Sequence, residues 1–415
     1  MKNIYTSVDI GSDTIKVVVC ELHKNRLNLL AASSVKSQGI KKGLIVDVAK
    51  AAEALRNALA EVETMLGVRI KRVIASVPSY FAEYTYAEGE IEISNEEKII
   101  TGDDIIRCLH NAVKGKIKSN SELVTVIPID FSLDGKEPIK DPKGQKCDKL
   151  QSRMIMVTTP KKNIYSVVSL IESIGIVVED ISLNNIGDIY AFKTSKTESQ
   201  IGVVINIGAD VTTVSLYNKD IVVKSSVIGL GGQNVDNDIA YIYKVSREQA
   251  AKIKEKFALG HKLYASVNDF YELKTKSNET ISINQFEVSE IVMSRLEEIL
   301  TLAKKEINVL TNKKIQYIII TGGMSNIAHF QYIVDEVLGK HAIIGNIKVV
   351  GVRDNKYSAA IGNIVYFINK LKMREKQYSM FSREDVEELS STKKNLINIS
   401  NDSMLGKVFG YFWSE

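Results

Sequence analysis

The sequence predicts a duplicated α/β protein: two related halves facing each other, each with its own sheet and helices, and an α+β subdomain inserted into the first. Three observations lead there. Residues 7–19 read SVDIGSDTIKVVV and residues 201–217 read IGVVINIGADVTTVSLY, so Asp9-Ile10-Gly11-Ser12-Asp13 lies over Asn206-Ile207-Gly208-Ala209-Asp210, 197 positions later. Around both copies, apolar strands alternate with stretches of helical period, the pattern of a sheet covered by helices. Between residues 84 and 160 the texture changes to a separate small set of strands and one helix.

Each copy reads as a buried strand, a tight glycine-containing turn and a second strand, hence a β-hairpin. Such a turn presents successive backbone N–H groups to an anion. Gly11 and Gly208 let the backbone approach closely, and Asp9, at the end of its strand, can hold Mg²⁺ through water. Either hairpin alone is an ordinary core element with glycine at its turn. Two opposed hairpins could grip a nucleotide polyphosphate from both sides.

Composition bounds the class. At 415 residues, 45% hydrophobic and 25% charged, the chain has the make-up of a soluble globular protein of more than one domain. A net charge of +4 over this length is too small to argue for nucleic acid. Cys20, Cys108 and Cys147 are widely spaced, which suggests neither a disulfide framework nor a zinc site and fits a reducing cytoplasm. Neither a signal peptide nor a membrane-spanning run is expected.

In chain order, strands are predicted at 5–8, 15–21 and 27–34, then a loop QGIKKGLIVD, a helix over 48–66 and the strand RVIASVP. The inserted segment 84–160 holds the strand YAEGEIEIS, a helix capped by Thr101 or Asp103, the strands ELVTVIPIDFSLDG and SRMIMVTTP, and a solvated charged loop between them. Helices at 161–174 and 184–193 flank the strand IGIVVEDISL. After the second hairpin, LGGQNVDNDIA passes through glycines into a helix starting near Asn234 or Asp236. Residues 246–310 read as a charged helical region closed by a long helix. In YIIITGGMSNIAHF an apolar strand runs into Gly322-Gly323 and a helix capped by Ser325 or Asn326, a platform for a flat or anionic group. YSAAIGNIVYF is a helix with small residues on one side.

Taken together, D-I-G-S-x-x-I-K, the partner hairpin, LGGQNVDNDIA, TGGMSN and YSAAIGN resemble the five nucleotide-site segments of the actin, heat-shock chaperone and sugar-kinase superfamily. Within it the chain resembles the FtsA family of actin-like bacterial division proteins, over essentially its whole length. The resemblance implies an actin-like (ribonuclease H-like) fold around a nucleotide cleft, with subdomain 1A at 1–83 and 161–200 and subdomain 1C at 84–160. It places subdomain 2A at 201–240 and 317–370 and subdomain 2B at 241–316. It also implies ATP with Mg²⁺ as cofactors. Asp9, Gly11, Ser12, Asp13 and Lys16 match the first phosphate segment, and Asn206, Gly208, Asp210 and Thr212 the second. Gly231 and Gly232 match the loop into subdomain 2B, Lys254 a nucleoside-contacting lysine, and Gly322, Gly323 and Met324 the adenosine turn. Asn206 stands where the family usually has Asp, and no Gln or Glu stands in ISLNNIGDIYAF to position an attacking water; Asn184, Asn185 and Asp188 are the nearest polar groups. Asp9 and Asn206 remain the only catalytic candidates, and ATP binding with weak or absent hydrolysis is expected.

Residues 371–400 are polar without a sustained apolar period and read as a flexible linker. The final SMLGKVFGYFWSE places Met404, Leu405, Val408, Phe409, Tyr411, Phe412 and Trp413 on one arc at about 100° per residue. Too short to span, this helix is suited to lie in a membrane interface. By resemblance the partners are FtsZ, whose C-terminal peptide is expected on subdomain 2B near Arg295, further copies of the chain in a filament, and late division proteins on subdomain 1C. The predicted function is therefore a tether of the FtsZ ring on the cytoplasmic face of the membrane at the division site. The alternative is an actin-like ATPase of a pilus-assembly or other cytoskeletal system without a lipid-binding tail.

Overall fold

The computed structural model describes residues 3–274 and 280–389. In the first half β1 (Asn3–Ile10), β2 (Thr14–His23) and β3 (Arg26–Lys36) form an antiparallel meander. A short pair, β4 (Ile40–Lys41) and β5 (Leu44–Ile45), precedes α1 (Val48–Leu66) and β6 (Arg72–Val77), which runs parallel to β1. The chain then leaves the sheet through β7 (Glu83–Glu92), α2 (Gly102–Val113), β8 (Ser121–Leu133) and β9 (Lys149–Pro160). It returns by α3 (Lys161–Glu172) to β10 (Val177–Leu183), parallel to β6, and α4 (Asn184–Ala191).

The second half repeats the plan. Its meander is β11 (Ile201–Ile207), β12 (Thr212–Asn218) and β13 (Ile221–Ile228). There follow α5 (Gly232–Tyr243), α6 (Arg247–Lys256), β14 (Phe270–Lys274), β15 (Thr280–Asn284) and α7 (Gln285–Leu310). Then come β16 (Tyr317–Thr321), parallel to β11, α8 (Phe330–Leu338), β17 (Ala342–Ile344) and α9 (Ser358–Met373). The sheet orders are β3-β2-β1-β6-β10 and β13-β12-β11-β16-β17, one topology used twice. The insert is its own three-stranded sheet, β7-β9-β8, covered by α2.

Local chemistry explains the elements that the sequence predicts well. α1 starts where the Asp47 side chain accepts from Lys50 N and stops where Gly67 takes φ +76°, and its apolar stripe from Ala51 to Leu66 is buried. α2 starts at Thr101, with Asp104 closing a reciprocal capping box. On α9, Gly362 meets Gly187 of α4 so closely that a Cβ there would sit 1.6 Å from the Gly187 carbonyl oxygen. The second sheet's Val204, Tyr217, Tyr317 and Ile319 are buried in the first half's core, which joins the halves on one side and leaves a cleft on the other.

Four expectations change. The region 246–310 contains the β14–β15 hairpin as well as helices; each strand is only five residues long, too short for its alternation to stand out. α5 begins at Gly232, earlier than Asn234 or Asp236, because the Asn234 side chain accepts from Gly231 N and caps the turn. After Gly322 comes a 3₁₀ turn, Gly323–Asn326, and α8 starts only at Phe330, so neither Ser325 nor Asn326 caps a helix there. Finally, the expected linker from 371 is structured as far as it is described. Met380 N donates to Ile4 O at 2.9 Å, and Met380, Phe381 and Leu389 bury against the first half. Residues 383–389 form a helical turn whose entry Ser382 and Asp385 cap. These few apolar side chains are spaced too sparsely to show a period, yet they seal an existing sheet. The predicted membrane helix, with Met404, Leu405, Val408, Phe409, Tyr411, Phe412 and Trp413, lies outside the described residues.

Candidate functional site

The two hairpins end in the same turn. Gly11 N donates to Thr14 O at 3.1 Å and Gly208 N to Val211 O at 3.0 Å, the same bond 197 positions apart. Cross-strand register also agrees, with Asp9 opposite Lys16 and Asn206 opposite Thr213. Both turns face one cavity of about 1020 Å³. Asp9, Gly11, Ser12, Asp13 and Lys16 line it from the first half, and Asn206, Gly208 and Asp210 from the second. Gly232 and Lys254 form a side wall, and Gly322, Gly323 and Met324 the wall beneath the second sheet.

Two predicted residues do not reach the cavity. Thr212 is fully buried and donates its hydroxyl to Leu230 O at 2.9 Å, so it fastens the α5 entry loop to the hairpin. Gly231 packs that loop on the second turn: a Cβ there would lie 2.5 Å from Ala209 O. The opening amides of α5 are already used, Gly232 N by Gly208 O at 2.9 Å and Gln233 N by Ala209 O at 2.8 Å. Gly322 has φ +90° and would drive a Cβ to 2.4 Å from Ile207 O, so only glycine fits this crossing. A Cβ at Gly323, in contrast, would meet nothing within 4 Å, leaving a bare backbone shelf on the cavity wall. Such a shelf can take a flat group.

The charges are arranged in pairs. Asp9 and Lys16 form an ion pair at 2.9 Å on the first side, and Asp13 pairs with Lys36. On the side wall, Lys254 pairs with Asp236 at 2.7 Å, and burial raises the Asp236 carboxyl above its ordinary range while Lys254 pulls it back. Behind Asn206 lies Asp188, 2% exposed. It accepts from Asn206 Nδ2 at 2.7 Å and from Ser358 Oγ at 2.6 Å. Burial pushes its carboxyl up to about 6 from 3.8, against the lowering effect of those two donors. Asn185 points away from the cavity, with its Nδ2 on the Tyr84 and Ser215 oxygens at 2.6 and 3.1 Å, whereas Asn184 lines the cavity and accepts from Ser79 N. None of these groups stands free to activate a water.

Sequence reasoning passed over several lining residues, among them Ser76, Tyr80, Arg247, Lys252 and Lys356. Nor did it identify the β4–β5 hairpin in what read as a loop. Lys42 N donates to Asp210 Oδ2 and Gly43 N to Ser12 Oγ, both at 2.8 Å, so this hairpin spans the two turns. The signal was the Lys42-Gly43 pair within IKKGLI, both with positive φ, as a two-residue hairpin turn requires. Among the described residues no cluster of three acidic, His or Cys side chains could hold a metal directly. Asp9 fits an outer role, because it faces the cavity beside Lys16 with acceptor capacity left for metal-bound water.

Arg295 lies elsewhere. On α7 it holds Asp238 of α5 with two bonds, at 2.8 and 3.0 Å, and also pairs with Glu298. It borders a groove of about 370 Å³ between α5 and α7. Tyr241, 85% exposed, and Ile242 stand on the α5 side of that groove.

Among solved structures with this fold is one described as the PilM-PilN type IV pilus biogenesis complex, with TM-score 0.60 at 14% identity over 90% of this chain and 99% of that one. MreB5 of Spiroplasma citri bound to ADP superposes with TM-score 0.51 at 12% identity, covering 90% of this chain and 99% of that one. At such identities the likeness shows an actin-like fold. Sequence relatives say more. "Cell division protein FtsA" of Bacillus subtilis (strain 168) is 29% identical over 88% of this chain and 83% of its own length. Its counterpart in Enterococcus hirae is 26% identical over the same shares, 88% and 83%. The family model "Cell division protein FtsA" matches residues 203–362, and the model "SHS2 domain inserted in FTSA" matches residues 82–158, the separate sheet and helix of the insert. With FtsA models matching the second half and the insert, and FtsA relatives aligned over 88% of the chain, the chain belongs to the FtsA family of cell-division proteins.

Proposed function

We propose that the protein binds ATP in the cleft, polymerises on the inner face of the cytoplasmic membrane and tethers the FtsZ ring there through its C-terminal helix. The observation that carries the nucleotide reading is that two symmetry-related turns face one cavity beside the bare shelf at Gly323. Two related solved structures support the ligand: MreB5 of Spiroplasma citri is bound to ADP in one and AMPPNP in the other. Lys16, Ser12 and the Gly11 and Gly208 turns would hold the phosphates, and Gly322, Gly323 and Met324 the adenosine, with Lys254 beside it. Mg²⁺, when bound, offsets the phosphate charge, with Asp9 holding its water shell. Hydrolysis is weak in this reading, because Asp188 and Asn185, near the second turn, face away from the cavity, with the Asp188 oxygens and Asn185 Nδ2 held by protein partners.

The groove beside Arg295 is the proposed seat of the FtsZ C-terminal peptide on subdomain 2B, with exposed Tyr241 and Ile242 as apolar contacts and Arg295 held in place by Asp238. The insert is the proposed contact for late division proteins. A pilus-assembly role has only the fold likeness behind it, whereas division has the family.

The tether is tested by liposome co-sedimentation with ATP and Mg²⁺, comparing the full chain with one ending at Asn401. Lipid binding by the full chain alone, followed by FtsZ recruitment to those liposomes, is the expected result. If both forms stay in the supernatant, the tether reading fails.

A further inference from the structure

The two copies of the hairpin differ in the charge they bring to the cavity floor. The first carries Asp9, and Lys16 neutralises it at 2.9 Å. At the same register the second carries the neutral Asn206, with Thr213 opposite. The second half's floor still has a carboxylate, one layer back, in Asp188 of α4.

Donor chemistry fixes the geometry of this pair. A carboxylate only accepts, so the Asn206 amide must turn its NH₂ to Asp188, and its Oδ1 faces the opposite way, against Gly322 on the cavity wall. Charge gives the second argument. Asp9 and Lys16 cancel, while Asp188 is met only by the neutral donors Asn206 and Ser358, and it interacts electrostatically with both Asp9 and Lys16. Asp188 therefore carries a negative charge that no ion pair cancels, directly behind Asn206. A polyphosphate brought against that charge needs a cation between the two.

We propose that Asp188 is the positioning residue for the nucleotide's cation: through Asn206 it presents a fixed oxygen to the cavity and supplies from behind the charge that Asp9 carries in the first copy. Acid and amide are thus split between two layers, where the first hairpin has one exposed acid. The proposal rests on the nucleotide reading of the cavity, deepens it, and explains how Asn206 can serve in a cation's water shell.

Calorimetric titration of the full chain with ATP, in Mg²⁺ and in EDTA, tests it. Wild type should bind more tightly with Mg²⁺. Asp188→Asn keeps the shape and removes the charge, and should cut the Mg²⁺ enhancement about tenfold or more while leaving the EDTA affinity near wild type. The exchanged double variant Asp188→Asn/Asn206→Asp should restore the enhancement, and it keeps the test decisive if a single variant fails to fold. Ser358→Ala, which removes the other donor and leaves the charge, should lower the melting temperature and retain the enhancement. An undiminished enhancement in Asp188→Asn, no recovery in the exchanged variant, or an equal loss in Ser358→Ala would overturn the proposal with the nucleotide reading intact. So would ATP binding that Mg²⁺ does not strengthen in wild type. If wild type binds no ATP in either condition, both fall.

Discussion

Two adjacent glycines at the cavity wall are needed for different reasons. Gly322 serves the backbone, since φ +90° and a carbonyl oxygen 2.4 Å from its would-be Cβ exclude any side chain. Gly323 leaves the cavity wall bare, since its would-be Cβ meets nothing, and in the proposed nucleotide site that space is the ligand's. Gly323→Val should therefore leave the melting temperature of the ligand-free protein within about 1 °C, a shift that corresponds to a few tenths of a kcal/mol, while abolishing stabilisation by ATP. Gly322→Ala should lower the melting temperature itself, by a strain of about 1–3 kcal/mol or more. Thermal melts with and without ATP separate the two. Asp188 gives a pH signature of its own. Its folded carboxyl at about 6 lies above the ordinary 3.8, so the native state binds the extra proton between these values. Its contribution is full below pH 4 and is lost as pH rises through 6. Relative to Asp188→Asn, wild type should lose on the order of 3 kcal/mol between pH 4 and pH 7, as read by urea unfolding.

At the scale of the element, the segment from Tyr378 to Leu389 behaves as part of the first half. Its Met380 amide extends the hydrogen bonding of β1, and Lys71 and Arg72 at the start of β6 hold Asp385 and Tyr378 at 3.2 and 3.0 Å. Burying Met380, Phe381 and Leu389 stabilises by roughly 1.5–3 kcal/mol per side chain. A chain ending at Leu389 should therefore melt with the full chain, and one ending at Glu375 several degrees lower. Equal melting of the two truncations would mean that the segment contributes nothing to the body. The long, periodic elements α1, α2 and α7 were legible because one face of each must be buried. The β14–β15 hairpin, the β4–β5 clasp and the 3₁₀ turn after Gly322 were not, because short elements are held by neighbours rather than by their own period.

Across the whole molecule, α4 is the joint at which both halves and the insert meet. Asn185 ties Tyr84 of the insert to Ser215 of the second sheet, Tyr217 OH donates to Asn185 O at 2.6 Å, and Asp188 reaches Asn206 and Ser358. A ligand that closes the cleft must act on this joint. Hydrogen exchange should slow with ATP at Gly11, at Gly208 and in the 3₁₀ turn after Gly322 together, since all three border one cavity. Protection confined to one half would argue against a shared site.

By itself the sequence determined the duplication, the α/β class, the insert and the glycine turns that border the cavity, because hydrophobic period and glycine turns are local signals repeated at one spacing. Only the tertiary structure decided which of those residues face the cavity and which hold the fold. Thr212 and Gly231 lie within a few residues of true lining groups yet point into packed structure, and the β4–β5 hairpin reaches Asp210 from 168 residues away. Asp188 pairs with Asn206 through a contact between an α4 side chain and a strand of the other half. Such pairings depend on how two separate sheets are brought together, and no local period encodes that distance.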